Sequence, residues 1–224
     1  MPDLATAAGR LAAVPFAAIA RRRAGKPLHP RGEVLGGRLT RTGAGFGVPW
    51  LDSRATDDVV VRLSRGAGLP APLPDLLGVA VRLPGETRPV DLLLSSTAGG
   101  PLAGRVPFPA RDASATYGSL MGYRCAAGTV RLALLPTGAG LRADGATLAA
   151  AVGWGPWRPV GHLVVGDREG PLDPDVRFDA MLNPPPGLSP DGPMARFREP
   201  AYAAARAART AAGRPAQAST GRPV

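Results

Sequence analysis

Apolar residues along this 224-residue chain come in short runs broken by Gly, Pro and charged positions. That pattern belongs to a strand-rich protein. Val59-Val60-Val61-Arg62-Leu63-Ser64 is rich in β-branched residues and bounded by polar ones, and predicts a strand. Gly78-Val-Ala-Val-Arg-Leu83 and Val90-Asp-Leu-Leu-Leu94 predict two more, separated by the turn Pro84-Gly-Glu-Thr-Arg-Pro89. Further strands are expected over 33–40, 129–135 and 160–165, while 144–152 reads equally as helix or strand. Helices are expected mainly at the ends: over 3–23, broken by Pro15 or restarted after it, and over 200–211. A helical stretch is also expected within 114–124, an irregular one over 96–113, and a stiff connection at Pro184-Pro185-Pro186. Strands with turn signals between them and helices at the ends predict an α+β chain built on an antiparallel barrel or a strongly curved sheet. The expected organisation is an N-terminal helical segment 1–24, one domain over 25–211, and a disordered tail 212–224.

Composition narrows the function classes. Gly (30) and Pro (26) make up a quarter of the chain, consistent with many turns and few long helices. The formal charge is +10, from 27 basic and 17 acidic residues, and Lys26 is the only lysine. The arginines are scattered in short runs with no aromatic residues interleaved, so a nucleic-acid partner is not expected. Cys125 is the only cysteine, which rules out an intrachain disulfide and suits a reducing, cytoplasmic setting. Residues 4–20 are fairly apolar, but Arg10 interrupts them and Arg21-Arg22-Arg23 follows, the wrong charge order for a secretory signal. An amphipathic helix is expected there, and membrane association is not.

The chemistry concentrates near the C-terminus. In Arg198-Glu-Pro-Ala-Tyr202-Ala-Ala-Ala-Arg206-Ala-Ala-Arg209, a helix starting near Pro200 would put Tyr202, Arg206 and Arg209 on one face. Guanidinium groups favour the phenol's anion, so its pKa is expected to fall, and a phenolate is a hard anionic ligand for iron. Other sites find no support. Gly43-Ala-Gly45-Phe-Gly47 lacks the helix and acidic residue of a dinucleotide fingerprint. His29 and His162 with scattered acids give no zinc spacing, and no Gly-x-Ser-x-Gly elbow supports a serine nucleophile at Ser95 or Ser96.

Several segments, in collinear order from 26 to 209, resemble haem catalases. Lys26-Pro-Leu-His29-Pro-Arg-Gly32 resembles their distal histidine segment, and Val61-Arg62-Leu63-Ser64 the strand that reads Val-Arg-Phe-Ser. Pro74-Asp75-Leu-Leu-Gly78-Val-Ala-Val-Arg-Leu83 and Asp91-Leu-Leu-Leu-Ser95-Ser96-Thr97 resemble two further segments, the latter reading Asp-Leu-Val-Gly-Asn-Asn-Thr in the family. Pro159-Val-Gly-His-Leu-Val164 and Phe178-Asp-Ala-Met-Leu-Asn-Pro-Pro-Pro-Gly-Leu188 follow in register, and Arg198-x-x-x-Tyr202 with Arg209 matches the proximal motif.

The resemblance implies a minimal catalase-like barrel binding haem b, with Tyr202 as the iron ligand and Arg198 against its oxygen. It implies His29 as the acid–base group, Ser64 as the hydroxyl that fixes its ring, and Lys26, Arg62 and Arg209 on the propionates. Phe108, thirteen residues after Ser95, matches a pocket phenylalanine. Ser95 stands where the family has asparagine, and Gly100 and Pro101 replace two aromatic residues. The shorter hydroxyl disfavours dismutation and leaves peroxidase chemistry, in which a peroxide and an external electron donor are the partners. The alternatives are a haem hydroperoxide isomerase or lyase resembling allene oxide synthase, and a non-enzymatic or haem-free relic of the fold.

Overall fold

The computed structural model describes residues 31–98, 104–168 and 176–212. Ten antiparallel strands run in chain order: β1 (Arg31–Thr42), β2 (Arg54–Arg65), β3 (Leu77–Leu83), β4 (Val90–Ser96), β5 (Tyr117–Gly118), β6 (Gly122–Cys125), β7 (Gly128–Pro136), β8 (Ala146–Val152), β9 (Arg158–Arg168) and β10 (Ser189–Asp191). Two helices are described, α1 (Pro49–Asp52) and α2 (Pro193–Ala212). The strands pair in the order β10-β6-β7-β5-β4-β3-β2-β1-β9-β8, and β8 pairs again with β7. That last pairing closes eight strands into a barrel, and β6 with β10 forms a flap beside it. Closure removes the exposed edges of the ring.

Alternation along the strands makes the two faces of the wall. Val59 and Val61 of β2, Val79, Val81 and Leu83 of β3, and Leu92 and Leu94 of β4 are buried and join one core with Leu35, Leu39, Leu132, Leu134, Leu148 and Leu163. The intervening residues, such as Arg62 and Ser64, Gly78 and Ala80, and Leu93 and Ser95, occupy the opposite, outer face. Helix α1 contributes Trp50 and Leu51 to the core. Its Asp52 side chain accepts from the Phe46 and Val48 N–H groups and holds the turn that precedes it.

Three expectations change. Residues 114–124 are not helical: β5 and β6 lie there, because Tyr117 and Gly118 pair with Ser96 and Ser95 on one side and with Leu134 and Ala133 on the other. The ambiguous 144–152 stretch is strand β8, with Ala149, Ala150 and Ala151 fully buried between β7 and β9. The C-terminal helix starts at Pro193, seven residues before Pro200, which sits inside it. Pro200 has no N–H for the Arg196 carbonyl, and the helix continues through that missing bond. The α+β expectation holds only in its barrel, since helix is confined among the described residues to α1 and α2. The expected helix over 3–23 lies outside the described residues, as does the tail beyond Ala212. No helix among the described residues is long and apolar enough to cross a membrane.

Candidate functional site

The outer face of β1–β4 is built in rows by strand register. Ser64 lies opposite Gly32 and Gly78, and Gly78 opposite Ser95, which faces Gly118. The next row runs Val34, Arg62, Ala80, Leu93. Beyond it Arg82 lies opposite Asp91. Neighbouring strands are ~4.8 Å apart, so the Ser64 and Ser95 backbones stand about 10 Å apart with only Gly78 between them. Ser95 is four positions from Asp91, about 13 Å along the extended strand. The wall is therefore lined with small side chains, carries two hydroxyls at one end, and ends in a charged cluster.

Arg62 lies across this wall and is 5% exposed. A Cβ on Gly32 would come within 2.5 Å of its guanidinium carbon, so Gly32 is the residue that lets the arginine lie flat against β1. The Ser64 hydroxyl reaches the Gly78 carbonyl at 3.4 Å, a long contact. Ser96 points the other way: it is fully buried, accepts from the Leu77 N–H at 3.0 Å and donates to the Phe108 carbonyl at 2.8 Å. It is a structural tie. The Phe108 backbone is held to Ser96 by that bond and by its own N–H, while the residue as a whole is 58% exposed.

Asp91 anchors the charged end. It is fully buried, and its carboxylate accepts from Arg82 Nε at 2.7 Å, Arg82 Nη2 at 2.9 Å, the Asp179 N–H at 2.8 Å and Asn183 Nδ2 at 2.8 Å. The Arg82 guanidinium stacks on Phe178 at 5.0 Å and donates to the Arg177 carbonyl. Its pKa is raised above the ordinary value by the bond to Asp91. Asp91 thus ties the 177–183 segment to the barrel wall. The motifs that point to the catalases contain Asp91, Asp179 and Asn183, yet no role follows for them from the sequence alone. The signal for Asp91 was the Pro84–Pro89 turn, which sets Arg82 opposite it.

Helix α2 brings the phenol to this end. Ala195 is buried in the core, and Arg198 and Tyr202 follow it at i+3 and i+7, on the same helix face. Both are half-buried. Burial pushes the Tyr202 phenol up from its ordinary pKa; Arg198 pulls it down, and Asp179 and Asp91 push it up further. The expected fall is therefore reversed in the chain by itself: desolvation outweighs the neighbouring guanidinium, and two carboxylates oppose it. Lys26 and His29 lie outside the described residues, as does the Arg209 side chain. Of the other expected site residues, Arg62, Ser64 and Ser95 come together on the wall, and Arg198 and Tyr202 on the helix face. An open surface cavity lined by Asp112, Ser114, Gly140 and Arg142 shares no residue with them. No cluster of three metal-ligating side chains occurs among the described residues.

No family model matches the chain, and no curated protein does. Solved structures do. A bacterial catalase superposes with a TM-score of 0.54 at 14% identity, covering 81% of this chain and 56% of its own. A fungal catalase gives 0.57 at 14%, covering 81% and 58%. The barrel has the catalase fold. The chain spans less than two thirds of the length of either catalase. The residues present fit the haem that the catalase-like fold implies. A Tyr–Arg pair on one helix face offers a phenolic oxygen and a cation that offsets its charge once the proton is lost. The small-residue wall with the buried Arg62 offers a flat apolar surface and a partner for a carboxylate.

Proposed function

We propose that the chain is a haem-dependent peroxidase acting on hydrogen peroxide or organic hydroperoxides, with an external electron donor and weak catalase activity. The observation that carries this reading is the shared face of α2, where Arg198 and Tyr202 follow Ala195, itself buried in the core of the catalase-like barrel. Haem b, when bound, supplies ferric iron that takes two oxidising equivalents from a peroxide and returns them to a donor. Tyr202, deprotonated, would hold the iron through its phenolic oxygen, and Arg198 would offset the negative charge that burial disfavours. Arg62 on the wall, with Lys26 and Arg209, takes the propionates, since a guanidinium matches a carboxylate in two bonds.

His29 would take the proton from the inner oxygen of a peroxide and deliver it to the outer one. His29 lies three positions before Gly32, whose strand partner is Ser64, and the Ser64 hydroxyl would orient the imidazole. Ser95 stands where a catalase holds peroxide with an amide; its hydroxyl is shorter and acts through a bridging water. Phe108 closes the outer part of the pocket. The lone Cys125 fits a cytoplasmic protein. No nucleic acid takes part.

The test is an assay on haem-supplemented protein with hydrogen peroxide and an organic hydroperoxide, each with and without an aromatic donor. Donor-dependent turnover with little oxygen release is expected. Hydroperoxide consumption that needs no donor would establish the isomerase or lyase reading instead, and failure to bind haem would establish a haem-free relic.

A further inference from the structure

Tyr123 is fully buried, and its hydroxyl has no hydrogen-bond partner among the described residues. A buried hydroxyl without a partner is costly, and native proteins keep few of them. Strand β6 places it. Tyr123 pairs with Pro190 of β10, and β10 leads through Gly192 into α2, so the ring lies beside the start of that helix. Tyr123 and Ala195 belong to the same core cluster. Arg198 and Tyr202 are the next residues on the Ala195 face, and both act electrostatically on the Tyr123 phenol, as does Asp91.

The neighbours differ in what they accept. Asp91 is already engaged by four donors, Arg82 Nε on Oδ1 and Arg82 Nη2, the Asp179 N–H and Asn183 Nδ2 on Oδ2. Arg198 only donates. The Tyr202 oxygen is the acceptor on the same helix face as Ala195 and Arg198, and as a phenolate it accepts more strongly than as a phenol. We propose that Tyr123 is a positioning residue that donates its hydroxyl hydrogen bond to the Tyr202 oxygen when Tyr202 ligates iron. With Arg198 it forms a two-donor clamp on that oxygen. This inference rests on the haem reading above. Its chemistry is that of a partner behind a metal ligand: a donor to the phenolate withdraws electron density and sets both its direction and its donor strength.

Tyr123→Phe tests it, because the change keeps the ring and removes only the hydroxyl. Without haem the variant should be folded, with a melting temperature equal to or above the parent's, since no bond within the chain is lost. With haem, its phenolate-to-iron charge-transfer band should move to longer wavelength and the iron midpoint potential should fall, because the phenolate donates more strongly. Replacing Tyr123 with 3-fluorotyrosine, a stronger donor of similar shape, should move both in the opposite sense. A parent protein with a tyrosinate spectrum whose band and potential are unchanged in both variants overturns the Tyr123 role alone. A parent without a tyrosinate spectrum overturns the haem reading and this inference together. A large drop in the melting temperature of the haem-free Phe variant would show that the hydroxyl already has a partner within the chain, which also overturns the proposal.

Discussion

Replacing Asp91 with asparagine should be among the most damaging isosteric changes in the protein. The side chain is fully buried and accepts four hydrogen bonds, three of them on Oδ2 and one on Oδ1. Asparagine must turn an NH2 group toward one set of donors. The less costly orientation points it at Arg82 Nε and keeps the three bonds on the other oxygen. Hydrogen bonds to a charged group contribute ~1.5–3 kcal/mol against ~0.5–1.5 for neutral ones, so three weakened bonds lose about 3 kcal/mol. The donor facing Arg82 Nε adds ~1–3 kcal/mol. The Arg82 side chain is 29% exposed, so water recovers part of that loss. The net cost should be about 3 kcal/mol, at the low end of the ~3–5 kcal/mol typical for breaking a buried pair.

By contrast, Arg38 and Asp58 form an ion pair with side chains 65% and 86% exposed. Asp58→Asn should therefore cost less than ~0.5 kcal/mol. Reversible urea unfolding followed by circular dichroism measures both. For a chain of this size ~1 kcal/mol corresponds to ~2–4 °C, so the Asp91 variant should also melt about 6–12 °C lower. A loss below ~1 kcal/mol, or one equal to that of Asp58→Asn, would refute the view that Asp91 ties 177–183 to the barrel.

Other perturbations address the site. His29→Ala should keep haem and slow the reaction with hydrogen peroxide by ~10²–10⁴-fold in stopped flow; a drop under about threefold would exclude His29 as the acid–base group. Ser95→Asn should raise oxygen release relative to oxidation of an aromatic donor, by less than the ~2.7–4 kcal/mol of a donor in a water-free site. An unchanged ratio would mean that Ser95 does not limit dismutation. Gly32→Ala should push Arg62 off the wall, costing ~1–3 kcal/mol in stability and weakening haem binding. Normal stability by thermal melting together with normal haem affinity would show that Arg62 does not need that space.

Much of the barrel was legible because its buried strands carry the signal themselves. Val59–Val61, Val79–Leu83 and Leu92–Leu94 combine β-branched or aliphatic runs with turn residues at both ends. The Pro84–Pro89 turn separated two of them, and the structure adds the register that sets Arg82 opposite Asp91. Two strands were hidden for opposite reasons. In 117–125 Gly and Met dilute the strand signal, and pairing with β4, β7 and β10 supplies what local preference lacks. In β8 an alanine run favours helix, and only burial between two strands makes small side chains an advantage. Pro200 read as the start of the last helix because a first-turn proline is common, yet α2 begins with another proline, Pro193. At the site, residue types and spacing pointed to Arg198 and Tyr202. Their spacing could not reveal that burial and the two carboxylates reverse the phenol's shift, because Asp91 and Asp179 come from distant segments.

The most direct measurement is the visible absorption spectrum of haem-supplemented protein beside that of Tyr202→Phe, with circular dichroism to establish that both are folded. The variant keeps the ring and removes the one oxygen assigned to iron. The parent should show a ferric high-spin, tyrosinate-type spectrum, and the folded variant should lose haem or show a grossly altered spectrum. An unchanged ferric spectrum in the variant, or a folded parent that takes up no haem, would contradict the account.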